Sequence, residues 1–166
     1  MTDTPARDPA GGMRLVIGIG SPYRSDDAAG LRTADILSGM SLAGAVVRKE
    51  ERDGFAMMDA WEGAGEVILI DAMSSGLPPG TVRKFYGEQI RSDRRALRCS
   101  IHGFGLAEAV ELSELMGTLP RRLSIFGIEG TSFETGTRIS AAVLKGCGEA
   151  ANEIAGILRI PAGNPV

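Results

Sequence analysis

The chain has 166 residues, is 43% hydrophobic and carries a formal net charge of -3, which suits one well-buried core and argues against two ordinary domains. With so small a charge, and arginines scattered or gathered only in the short cluster Arg91, Arg94, Arg95 and Arg98, the sequence argues against a nucleic-acid partner. Two cysteines, Cys99 and Cys147, without CxxC spacing fit a reducing compartment. No segment has a signal-peptide core or the roughly 18 apolar residues of a membrane span, so a cytoplasmic protein with no membrane partner is expected.

Residues 1–12 offer almost no apolar area to offset the entropy of ordering and are expected to form a flexible tail. A single domain over 13–160 and a short C-terminal tail over 161–166 follow. The run RLVIGI (Arg14–Ile19) reads as a strand buried on both faces and therefore central. A polar turn over Ser21–Asp27 comes next. Ala28, Leu31, Ala34 and Leu37 then recur at helical spacing until Ser38-Gly39 stops them.

Val46–Glu50 predicts an edge strand and Gly54–Trp61 a short helix. VILI (Val67–Ile70) predicts the next buried strand, stopping at Asp71. After the turn SSGLPPG, the strand Thr81–Tyr86 arrives too soon for a helical crossover and should pair antiparallel. An arginine-rich loop is expected from about Gly87 to Ser100, then a helix through Leu106, Ala109, Val110, Ser113 and Met116, ended by Pro120. A strand over Leu123–Ile128 and a closing helix with the stripe Ile139, Val143, Cys147, Ala150, Ile154 and Leu158 complete the pattern. Strands alternating with helices predict a three-layer α/β/α domain of phosphorylase/hydrolase-like type, its mostly parallel sheet holding about five strands, one of them antiparallel.

In such a sheet ligands bind beyond the carboxyl ends of the strands. The residues there are GIGSPYRSDDAAG after the first strand, Asp71 after the third, and Ser100-Ile101-His102-Gly103 before a helix. Gly18 and Gly20 lack the third glycine of a dinucleotide fingerprint, since Tyr23 stands in its place. Turn geometry accounts for them. Asp26 and Asp27 both suit the start of a helix, but capping needs one acceptor, which leaves a second carboxylate to face a cleft. Asp71 at the end of an apolar strand is costly unless it meets water, a partner or a metal. His102, the one histidine, suits a structural role and a ligand role equally. Two carboxylates and one imidazole form a three-ligand set with open positions, fitted to a borderline divalent metal such as zinc or nickel. Cys147 belongs to the core, and Ser74, Ser75, Cys99 and Ser100 are too loosely placed for a nucleophile served by His102.

With these motifs the chain resembles the [NiFe]-hydrogenase maturation proteases from Met13 to about Leu158. GIGSPYRSDDAAG (Gly18–Gly30) is similar to the family's first turn with its acidic pair. Asp53-Gly54, VILIDA ending at Asp71, SGLPPGT, SIHGFGL (Ser100–Leu106) and FGIEG (Phe126–Gly130) resemble the motifs that follow, in order. The resemblance implies that Asp27, Asp71 and His102 are both the metal-binding and the catalytic residues. The first-turn ligand, acidic in the family, is here the shorter Asp, and Ser21 stands where many relatives carry Asn. The resemblance also implies the reaction: an endopeptidase removes the C-terminal extension of a hydrogenase large-subunit precursor after nickel insertion. The nickel would be supplied by that partner, with zinc or cadmium able to replace it in crystals. A non-proteolytic metal-binding maturation chaperone is the alternative reading.

Overall fold

The apolar run MRLVIGI forms β1 (Met13–Ile19) in the computed structural model, which describes residues 12–42, 44–51, 54–92 and 105–159. A 3-10 turn over Ser25–Ala28 leads into α1 (Ala29–Ser38), which stops at Gly39 where the sequence predicted. There follow β2 (Ala45–Glu50), α2 (Gly54–Trp61), β3 (Ala64–Met73), β4 (Val82–Tyr86) and α3 (Gly87–Ser92). After residues 93–104, which are not described, come α4 (Leu106–Met116), β5 (Arg122–Glu129) and α5 (Ala141–Arg159). The tails expected over 1–12 and 161–166, apart from Gly12, lie outside the described residues, as do Asp53, Cys99 and His102.

The five strands order as β2-β1-β3-β5-β4, parallel except for β4, which pairs antiparallel with β5. β2 is thus an edge strand, as expected, while β1, expected to be central, lies second from that edge and β3 takes the centre. Period-two alternation divides the apolar side chains of β1 and β3 between two cores. Leu15, Ile17, Val67 and Leu69 face α2 and α4, whereas Val16, Ile68 and Ile70 face α1 and α5. Trp61 and Phe126 are fully buried, one in each layer. The fold is the three-layer, single-domain arrangement that the sequence predicted. No described helix is long and apolar enough to cross a membrane.

Three boundaries differ from expectation. β3 does not stop at Asp71 but continues through Met73, because Ala72 and Met73 still pair with Ile128 and Glu129 of β5. The segment expected to be loop from Gly87 opens with α3, anchored by the buried Ile90. The closing helix starts at Ala141 and not at Ile139, because Ser140 is drawn into a hydrogen bond with Asp26.

Helix direction fixes where the site lies. The turn after α4 (Gly117–Arg121) sits with Ala64, at the start of β3, around a shallow cavity of about 580 Å³ at the amino edge of the sheet. α4 therefore runs back against the strands, and Gly105 at its start points to the carboxyl edge. There Glu108 accepts the Gly105 N–H at 3.0 Å, covering one donor of the helix start.

Candidate functional site

β1 exits the sheet beside β3, since Gly18 pairs with Ile70 and the next step brings Ile19 level with Asp71. The chain then reverses at Gly20, whose φ of 154° is open only to glycine and whose Cβ, if present, would overlap the Asp27 carbonyl oxygen. α1 starts directly over the two strand ends. A side chain at Gly30 would overlap the carbonyl oxygens of Ile19 and Ile70. Glycine here buys close helix-to-strand approach, and Gly18, facing the Gly30 carbonyl from the strand side, completes the contact.

This packing carries Asp27 and Asp71 to one end of the sheet, on the exits of neighbouring strands. Asp27, 1% exposed, lies in the 3-10 turn, and its Oδ2 accepts the Ser21 N–H at 3.0 Å. Asp71 is 5% exposed, and its Oδ1 accepts the Ala72 N–H at 2.8 Å. It lies within β3 opposite Gly127, and not beyond the strand. Strand alternation turns its side chain toward the α2 and α4 layer, the layer whose α4 begins four residues after His102. His102 itself lies outside the described residues. Among the described residues no three His, Cys, Asp or Glu side chains form a metal-holding group.

The acidic pair does not behave as a helix cap. Neither the 3-10 turn nor α1 has a side-chain capping hydrogen bond. Asp26, fully buried, instead accepts the N–H groups of Thr131 (2.9 Å), Ser132 (3.0 Å) and Ser140 (2.6 Å) and the Ser140 hydroxyl (2.8 Å). Burial pushes its carboxyl up, but the hydrogen bonds from Ser140, Thr131 and Ser132 outweigh that and hold it below its ordinary value.

A fourth buried carboxylate, Glu129, entered the sequence reading only as part of the motif FGIEG. Glu129, 2% exposed at the end of β5, accepts the Ser75 N–H and hydroxyl at 2.7 Å each and the Gly76 N–H at 2.8 Å. It thereby fastens the turn that follows β3. The signal that drew attention to Asp71, a charge closing an apolar strand, is equally present at Glu129.

Residues 52–157, well over half of the chain, match the family profile of the HycI hydrogenase maturation proteases. The chain belongs to the hydrogenase maturation protease family. Among its relatives in this family context, the hydrogenase expression/formation protein HoxM of Cupriavidus necator is 27% identical over 157 residues, covering 93% of this chain and 78% of HoxM. HupD of Thiocapsa roseopersicina is 26% identical over 117 residues, covering 69% of this chain and 53% of HupD. The chain thus spans about half the length of that HupD. In three dimensions it is similar to the hydrogenase maturating endopeptidase HybD from E. coli, with a TM-score of 0.77 at 21% identity over 89% of this chain and 92% of HybD. The [NiFe] hydrogenase maturation protease HybD from Thermococcus kodakarensis gives 0.71 at 26% identity, covering 88% and 99%. The maturation-protease fold is therefore that of the whole described domain, from β1 to α5.

Proposed function

We propose that this maturation protease is an endopeptidase that removes the C-terminal extension of a [NiFe]-hydrogenase large-subunit precursor once nickel has been inserted. The observation that carries the reading is the pair of buried carboxylates, Asp27 and Asp71, on neighbouring strand exits in a chain of this family. Two carboxyl groups at 1% and 5% exposure, at one end of the sheet, offer oxygen donors to an incoming divalent cation. With the imidazole of His102 they make a donor set of two oxygens and one nitrogen, suited to nickel or zinc. The nickel belongs to the substrate, held there by the precursor's cysteine thiolates.

In this reading Asp27, Asp71 and His102 read the metal and so admit only a loaded precursor. By gripping it they also orient the peptide bond just beyond the precursor's cysteine motif over the carboxyl edge of the sheet. The precursor's nickel supplies Lewis acidity next to that bond. Hydrolysis consumes one water, which gives a carboxylate on the mature subunit and an amine on the released extension. His102 must offer a neutral nitrogen to the metal, so it binds only when deprotonated.

Incubation with nickel-loaded and nickel-free precursor, followed by intact-mass spectrometry, tests the proposal. The loaded precursor should lose its extension and the nickel-free form should not. An unchanged mass, with the complex still forming, identifies a metal-binding maturation chaperone instead.

A further inference from the structure

The two neighbouring aspartates of the first turn face opposite ways. Asp27 reaches back along its own turn, toward the Ser21 N–H. Asp26 reaches across to the 131–140 segment, and its two oxygens take four donors: Thr131 and Ser132 N–H and Ser140 hydroxyl on Oδ2, and Ser140 N–H on Oδ1. The same two segments are joined on either side of that contact. Asp26 donates its own N–H to Ser132 O at 2.9 Å, Ser25 N–H to Gly136 O at 2.8 Å, and Gly136 N–H to Tyr23 O at 2.9 Å. Arg24 Nε donates to Phe133 O and the Ser25 hydroxyl to Glu134 O, each at 3.1 Å.

Within this seam Ser25 holds a φ of 51°, the only non-glycine positive φ among the described residues. A left-handed serine is strained and persists only where its surroundings over-determine it. The strained residue lies two positions before Asp27. A carboxylate already serving four donors has little acceptor capacity left for a metal, so the pair divides its labour.

We propose that Asp26 is a positioning residue for Asp27: by anchoring the 131–140 segment to the first turn, it fixes the strained backbone from which Asp27 is aimed at the substrate's nickel. This rests on the reading of Asp27 as a nickel contact. Asp26 touches no metal and acts through backbone geometry, as outer partners of ligands do elsewhere.

Calorimetric titration of the full chain with nickel(II) tests it, using wild type, Asp27→Asn, Asp26→Asn, Ser140→Ala and Arg14→Met. Asp26→Asn keeps the shape but turns an amide NH₂ toward donors. It should weaken nickel binding roughly tenfold or more, the loss typical of outer partners, while circular dichroism still reports a folded chain. Ser140→Ala, which deletes one donor of four, should weaken it by a smaller factor. Arg14→Met, which loosens the opposite end of the sheet, should lower the melting temperature and leave nickel affinity unchanged. Affinity lost in Asp27→Asn but kept in Asp26→Asn overturns the inference alone. Affinity kept in Asp27→Asn overturns the site reading and this inference with it. Should Asp26→Asn fail to fold, Ser140→Ala decides, because unchanged affinity in that variant also overturns the positioning role.

Discussion

Arg14 Nε donates to Glu66 Oε2 at 2.6 Å while its Nη1 donates to the Leu158 carbonyl oxygen at 2.9 Å, so one buried guanidinium ties β1 to β3 and to the last turn of α5. A cation at a helix C-terminus meets carbonyls that have no partner within the helix and the negative end of its dipole. Replacing it strands a carboxylate whose side chain is 13% exposed. Arg122 Nη2, 4.0 Å from the same Glu66 oxygen, relieves part of that cost. Arg14→Met should therefore destabilise by about 3 kcal/mol, the low end for breaking a buried pair. Thermal unfolding should show a drop of roughly 10 °C; a drop within error would mean that Arg122 compensates fully.

Acid should loosen the first turn through Asp26. Its folded pKa lies below the ordinary carboxylate value, so the unfolded chain takes up a proton at higher pH than the folded one. The stability it contributes is complete above about pH 4, the unfolded value. It is lost as pH falls through the lowered folded value. Denaturant melts of wild type and Asp26→Asn across that window should converge as pH drops, since the variant lacks the group that titrates. Parallel curves would assign the acid sensitivity to other carboxylates.

Gly30→Ala should be among the most damaging single methyl additions in the domain. The new carbon overlaps backbone oxygens of both β1 and β3, which no side-chain rotation can relieve. α1 must lift from the sheet, exposing Ala29 and Leu37, both fully buried now. A loss of roughly 3 kcal/mol, at the upper end for overpacking, should accompany weaker nickel binding. A variant with wild-type melting temperature would show that the close approach is not required.

If the proposed site is right, His102→Ala should abolish removal of the extension from nickel-loaded precursor, because it would delete the imidazole ligand while leaving the apolar stripes of the sequence untouched. On the same reading Asp71→Asn should weaken nickel affinity, since a charged oxygen donor would become a neutral one. Processing assays and calorimetry check the two in turn. Normal processing by His102→Ala would remove the imidazole from the mechanism.

The sequence carried most of the architecture because the dominant forces on this chain are local and periodic. RLVIGI and VILI declare buried strands by composition, and the short spacing before Thr81–Tyr86 leaves only an antiparallel return for β4. It misled where a charge was taken as a boundary. Asp71 reads as a stop, yet a ladder with β5 carries the strand two residues further, because backbone pairing does not depend on the side chain. α3 was missed because a six-residue polar helix has almost no period to detect. The division between Asp26 and Asp27 was illegible for a different reason: the donors that settle it lie 105 to 114 residues away.

That separation has a consequence for synthesis. A nascent chain that has emerged only as far as Gly130 contains β1, the acidic pair and β3, yet lacks Thr131, Ser132 and Ser140, the residues on which Asp26 closes. The first turn therefore acquires its final shape late, when the segment leading into α5 arrives. A ribosome-bound fragment stalled there would hold all five strands and an unfinished first turn, so competence waits on synthesis of the 131–140 segment.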